Sequence, residues 1–376
     1  MELTTQVMEA ISAGQAEALE LLRTIATIPA PSGQEQARIV FCHDWLLQKG
    51  AKDLRIDAAG NLLYFVGDAE NGPIRVVMAH GDTVFPDREL TFTQQGGKLY
   101  CPGVGDNSAS VAALLIVAKY IAEQQLKPQN GSVLLAVNTG EEGLGNLRGC
   151  RRILEDYGDR ITEVIAVDGN NCTVYDSAIG SKRYRVRVRT QGGHSYANFG
   201  RPNAIRILAG LIGRLYAVEL PQDGIVTYNV GTIQGGTSVN TIAQEAEMLY
   251  EIRSDNRRSM AAVEGYFLSL LDELRQNGTD VSCELLGDRP CAGTVSEDAQ
   301  NALRTRAADA VARWFGEKAS FAPGSTDCNI PLSLGVPSVC VACYRGHGAH
   351  TREEYVEQNS LLPGYHLAFV LILQYL

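Results

Sequence analysis

The sequence lacks a basic excess, a continuous apolar run long enough to cross a bilayer, a low-complexity tract and an internal repeat. Each absence removes a class of function. With 33 Lys and Arg against 43 Asp and Glu, the formal charge is −10. That balance speaks against nucleic acid or an anionic membrane as partner, and it suits a site that gathers cations. The longest candidate apolar runs, such as 367–373, fall far short of the roughly 20 residues of a spanning helix. Met1 to Gln6 offers neither a basic start nor an apolar stretch, so no signal peptide is expected. The nine cysteines are odd in number and scattered, which fits a reducing, cytoplasmic setting. The one CxxC, Cys340 to Cys343, lies in an apolar run where residues three apart face opposite sides of a strand. No second pair accompanies it, so both read as core thiols.

Several catalytic signatures are missing as well. No G-x-S-x-G elbow is present, which disfavours a serine hydrolase. H-E-x-x-H is absent, which excludes a thermolysin-like single zinc site, and no G-x-x-x-x-G-K-[ST] phosphate loop occurs.

What remains is an ordinary globular composition, 45% apolar and 20% charged over 376 residues, enough for about two domains. The first half alternates short apolar runs with helical patterns, the mark of an α/β fold with a mostly parallel sheet. Residues 62–66, 74–79, 133–138 and 164–167 read as strands, and 34–49 and 108–124 as helices. The style changes after about Asp176. Residues 182–189 alternate strictly, with Arg183, Arg185, Arg187 and Arg189 on one face, as in a half-exposed antiparallel strand. A helix (203–218), strands (225–233 and 245–253), a helix (260–276) and a strand (281–286) follow, giving a β-α-β-β-α-β, ferredoxin-like order. From about Thr294 the α/β style returns, with a helix at 298–314 and a strand at 338–344. The expected organisation is a catalytic domain of residues 1–176 and 294–376, with a lid and dimerisation domain, 177–293, inserted into it.

Potential metal ligands stand just past apolar strands. His80-Gly81-Asp82 follows one, Glu141-Glu142 another, Asp168-Gly169 a third, and a glycine-rich loop with His350 a fourth. Asp106 lies in the Gly103–Asn107 turn before the long helix. Open α/β sheets build their sites at the carboxyl ends of strands, so these clusters are expected to converge. Two histidines and three carboxylates suit a pair of divalent ions sharing a carboxylate better than one closed structural zinc. Adjacent Glu141 and Glu142 point differently, so one can bind metal while the other takes a proton from the attacking water. Asp82 is placed to hold the second nitrogen of His80. Taken singly, each has a bland reading: a histidine satisfied at a strand end, solvated surface glutamates, a turn-capping aspartate. Five such clusters at five loop mouths do not.

These residues carry a resemblance. The whole chain resembles the superfamily of two-zinc exopeptidases and amidohydrolases that includes peptidase T, carboxypeptidase G2 and acetylornithine deacetylase. The matching stretches are His80-Gly81-Asp82-Thr83-Val84, Gly105-Asp106, Glu141-Glu142-Gly143, Asp168-Gly169, Gly193-His194, Gly235-Gly236 with Asn240, and Ala349-His350-Thr351 with Glu354-Tyr355-Val356. The resemblance implies that His80 and Asp168 bind one zinc ion, Glu142 and His350 the other, and that Asp106 bridges them. Manganese or cobalt are the alternative ions. It also implies that Glu141 is general base and then general acid, and that His194 stabilises the oxyanion, often at the partner subunit's site. Asn240 and Arg253 would hold a substrate carboxylate. Two features bear on the branch. Asp106 is followed by Asn107-Ser108-Ala109-Ser110, where many deacylases carry a lysine and a glycine pair. Asp168 stands where carboxypeptidase-like members tend to carry glutamate. The first departs from the deacylase branch and the second resembles the aminopeptidase and tripeptidase branch, so the expected substrate is a di- or tripeptide. An N-acyl amino-acid deacylase or carboxypeptidase is the alternative within the superfamily, and a non-catalytic metal-binding protein the alternative outside it. A homodimer through the lid is the expected assembly. His347, in a turn, and His43 and His366, in helical patterns, read as structural.

Overall fold

The near-continuous apolar runs of the first half become strands of one eight-stranded sheet in a computed structural model that describes residues 2–376. In order across the sheet these are Leu54–Ile56, Leu62–Gly67, Ser132–Asn138, Ile74–His80, Ile161–Val167, Ser338–Val341, Thr173–Ala178 and Ser320–Gly324. The four central strands, from Ser132–Asn138 to Ser338–Val341, run parallel. They are buried over nearly their whole length, which explains why they read as unbroken apolar runs. The sheet as a whole is mixed, a correction to the mostly parallel expectation. Leu62–Gly67 pairs antiparallel with Ser132–Asn138, and Thr173–Ala178 antiparallel with Ser338–Val341. Helices Gln15–Thr27, Ser110–Gln124, Glu297–Phe315 and Leu361–Leu373 share a single apolar core with the sheet.

The chain forms two compact units. One comprises the segments up to Ala178 and from Gly293, and the other is Ile179–Ala292. In the second, the element order is strand Gly180–Arg189, helix Ala204–Leu215, strands Val226–Gly235 and Glu245–Ser254, helix Arg257–Gln276 and strand Asp280–Arg289. The four strands form an antiparallel sheet in which Glu245–Ser254 and Gly180–Arg189 are central. Asn203 and Asn256 cap the two helices, accepting backbone N–H groups that would otherwise be unpaired. The alternation of 182–189 has its physical reason here. Tyr184, Val186 and Val188 enter the core, where Phe267 is fully buried with ring centroids 4.9 Å from Tyr184 and 5.0 Å from Tyr250. The intervening arginines pair across the other face, Arg183 with Glu251 at 2.8 Å, Arg185 with Glu284 at 2.8 Å, and Arg189 with Glu245 at 3.0 Å.

The α-helical stretch of the long central helix is Ser110–Gln124, and the turn ahead of it is kinked at Asp106 and Asn107, which take non-helical angles. With its preceding turn, Val104–Gln124 is long and apolar enough by length and composition to cross a membrane. It is a core helix, with Ser110 to Ala118 all buried inside the fold.

Candidate metal centre

Each of the four parallel central strands leads to a candidate metal-ligand side chain at its carboxyl end. His80 is the last residue of its strand, Asp168 directly follows another, Glu141 and Glu142 stand three and four residues past Asn138, and His350 lies nine past Val341. Parallel neighbours in register bring such loops to one edge: His80 lies opposite Asn138, and Val167 opposite Val341. Asp106 arrives from the turn that opens the central helix, and Asn107 ties that turn down by donating from Nδ2 to the Val167 carbonyl at 2.8 Å.

The side chains meet around Asp106. His80 Nε2 is 3.1 Å from Asp106 Oδ1 and 3.7 Å from Asp168 Oδ1. His350 Nε2 is 3.1 Å from Asp106 Oδ2 and 2.9 Å from Glu142 Oε1. The carboxylate of Asp106 thus offers one oxygen to each histidine. Ligand atoms of His80, Asp106 and Asp168 lie within 4.8 Å of one another, as do those of Asp106, Glu142 and His350. A third such group, His80, Glu141 and Glu142, brings Glu141 to the same place.

The donor set fits a pair of divalent ions. His80 Nε2 and Asp106 Oδ1 are both buried and 3.1 Å apart, yet neither has a hydrogen-bond partner. Two buried polar atoms aimed at one point without bonding each other are what a shared cation requires. Imidazole and carboxylate donors suit zinc and neighbouring divalent ions.

Electrostatics agree. Burial alone would depress the His80 imidazole, but Asp106, Asp168 and Asp82 outweigh it and hold it well above its ordinary value. Asp106 and then Glu142 raise the half-exposed His350 to about 10. Burial raises the Glu142 carboxyl, opposed by His350. Burial also acts on Asp106, but the two histidines overcome it and hold its carboxyl far below the usual range.

Asp82 does more than expected. His80 Nδ1 is 3.1 Å from the backbone carbonyl of Asp82 and 3.6 Å from its carboxylate. The fully buried carboxylate accepts the backbone N–H groups of Glu141 at 3.0 Å and Glu142 at 2.9 Å, and the Ser32 hydroxyl at 2.6 Å. It therefore fixes the peptide from which both glutamates project. The nearest partner of His80 Nδ1 is the backbone carbonyl of Asp82.

Other contributors were not singled out in the sequence. Glu35 accepts from Gly140 N at 3.1 Å and from Arg148, bracing the turn before Glu141. Fully buried Arg38 donates to the Gly81 carbonyl at 3.1 Å, inside the His80–Asp82 loop. Glu354, 2% exposed, accepts from Gly103, Gly105 and Asp106 backbone N–H groups. Burial pushes its carboxyl up to about 7 against those amides. Asp327 is buried beside Asn138, which donates to it at 2.7 Å, and burial raises it to about 6. Only Glu354 left a trace in the sequence, an acid four residues after His350.

In the second unit His194 and Asn240 are neighbours: the strand Gly193–His194 pairs with Thr241–Ile242, and Ser195 N donates to the Asn240 carbonyl at 2.9 Å. His194 is exposed, and its Nδ1 accepts from the Tyr196 and Ala197 backbone N–H groups. In the neutral ring that leaves Nε2 as the protonated, donating nitrogen. Arg253 donates to Glu251 at 2.9 Å, and among the described residues it makes no hydrogen bond or ion pair with His194 or Asn240. The remaining histidines have structural partners: His43 Asp44, His347 the Tyr355 ring, and His366 the Trp314 ring. All nine cysteines are unpaired.

Residues 76–374 match the family described as Peptidase family M20/M25/M40. A probable succinyl-diaminopimelate desuccinylase of Staphylococcus aureus (strain MSSA476) is 22% identical over 92% of this chain and 94% of its own length. A crystal structure of a tripeptidase from Staphylococcus aureus subsp. aureus Mu50 superposes with a TM-score of 0.74 at 21% identity, covering 96% of this chain and 98% of that one. A dinuclear metal binding peptidase from Bacillus subtilis superposes with a TM-score of 0.62 at 17% identity, covering 97% of this chain and all of that one. At these identities the two structures establish a shared fold.

Proposed function

The chain belongs to peptidase family M20/M25/M40, and from that membership we propose that it is a two-metal exopeptidase acting on short peptides with a free amine. The observation that carries the reading is the Asp106 carboxylate, with one oxygen toward His80 and the other toward His350. His80 and Asp168 would hold one divalent ion, Glu142 and His350 the other, with Asp106 shared. Zinc is the proposed ion, with manganese and cobalt as alternatives. Such ions polarise a scissile carbonyl and bring the pKa of an attacking water towards about 7.

Glu141, held through its amide by Asp82, takes the proton of the water as oxygen bonds to the carbonyl carbon. It then gives that proton to the amine nitrogen as the C–N bond breaks. His194 donates from Nε2 to the developing oxyanion, a role supported by its motif and by the occupied Nδ1. Asn240 and Arg253 hold the substrate carboxylate, on the strength of the resemblance. The catalytic domain is the unit built on the large sheet, and the inserted unit is a ferredoxin-like lid through which two copies pair. We place the protein in the cytoplasm.

A second reading, an N-acyl amino-acid deacylase, is favoured by the desuccinylase relative. The test is hydrolysis of di- and tripeptides beside N-acetyl and N-succinyl amino acids, with zinc, manganese or cobalt supplied. Turnover of free-amine peptides is expected. Cleavage confined to the acylated amino acids transfers the assignment to the deacylase reading.

A further inference from the structure

Glu354 lies outside the proposed ligand set, yet its carboxylate is committed to that set's geometry. Oε2 accepts from Gly103 N at 2.6 Å, and Oε1 accepts from Gly105 N at 2.9 Å and Asp106 N at 2.7 Å. Three backbone amides of one turn converge on a single buried side chain. The last belongs to Asp106, the residue shared between the two ions on the reading above.

Glu354 is also four residues past His350. The intervening chain is pinned within itself, with Thr351 N and Oγ1 both donating to the Gly348 carbonyl at 2.9 and 2.7 Å. His350 sits on this surface loop with φ +66°, a strained setting for a residue with a side chain, and its imidazole is 55% exposed. Little packing holds the ring in place. The buried anchor of its loop is Glu354, and the far end of that anchor is the Asp106 turn.

We propose that Glu354 is a positioning residue that sets the separation of Asp106 and His350 and so the affinity for the second metal ion. The inference rests on the two-ion reading. Both ligands come from loops some 250 residues apart in sequence, and one carboxylate bonds the turn of the first while belonging to the loop of the second. Glutamine has the same shape but one acceptor oxygen, and its NH2 would face an N–H. In a Glu354→Gln chain either Gly103 or the Gly105–Asp106 pair therefore loses its acceptor and meets a donor.

The experiment is titration of the metal-free full-length chain with Co2+, followed by calorimetry and by the visible absorption of the bound ion. The wild type is expected to take up two ions. Glu354→Gln should bind the first within about threefold of wild type and the second about 10- to 100-fold more weakly, the range seen when a group supporting a metal ligand is removed. The absorption of the doubly loaded form should change as well. Should Glu354→Gln fail to fold, Glu354→Asp is read instead: it keeps the charge but is one methylene short, and its second ion should bind at least tenfold more weakly. Two ions held at wild-type affinity by the variant overturn the positioning role and leave the two-ion reading intact. A wild-type chain that takes up fewer than two ions overturns that reading, and this inference with it.

Discussion

Glu141 and Glu142 are chemically identical neighbours, and what separates them is where their shared peptide is held. Asp82 grips both amides, and Glu142 Oε1 meets His350 Nε2 at 2.9 Å. Glu141→Ala is expected to abolish turnover while the protein still binds about two ions by elemental analysis. Loss of an ion in that variant would mean the two roles are reversed. His194→Ala should lower kcat by roughly 10²–10³, the scale of one oxyanion donor, and a wild-type rate would remove it from the mechanism. The His350 imidazole supplies a pH test. With its folded value at about 10, above the ordinary 6.5, its pairing with Asp106 and Glu142 stabilises the metal-free fold fully below about pH 6.5. That contribution is lost as pH rises through about 10. Loading metal at pH 7.5 must therefore expel the proton. Calorimetry in two buffers of different ionisation heat should show net proton release, and zero release would remove His350 from the ligands.

At the scale of elements, the turn ahead of the central helix is tightly fitted. A Cβ at Gly105 would lie 2.6 Å from the Tyr344 hydroxyl and 2.8 Å from its ring, and Tyr344 is itself buried. Gly105→Ala should displace Asp106 and weaken metal binding at least tenfold by the same titration; unchanged affinity would show that the turn yields. This turn also marks the limit of what could be read from the sequence. The strands ending at His80, Asn138 and Val167 were legible because burial on both faces leaves an unbroken apolar run, and their ends pointed to where polar residues gather. The kink at Asp106 and Asn107 within the turn was not, because it rests on tertiary bonds made by Asn107 and Glu354. Nor were the grips of Asp82, Glu35 and Glu354, since each is a side chain meeting the backbone of a distant segment and leaves no periodic mark. The mixed sheet escaped notice for a related reason: pairing direction is set by how strands connect, and an apolar run says nothing of it.

For the whole molecule, the proposed ligands all lie in the unit built on the large sheet, while Phe267 anchors the core of the other. Phe267→Ala should cost about 3–5 kcal/mol, the range for emptying a buried aromatic site. That loss should appear in the denaturant transition of the inserted unit alone, with two ions still bound. Parallel loss of metal would show that the units do not unfold separately. Connectivity also constrains how the protein is made. The strand Ser338–Val341 lies in the interior of the sheet, between strands contributed before residue 179, and His350 follows it. A ribosome must therefore release the inserted unit, whole and able to close its own core, while the surrounding sheet still has a vacant lane. On the proposed ligand set, the site shared by Glu142 and His350 is completed only after that lane is filled, among the last steps of biogenesis.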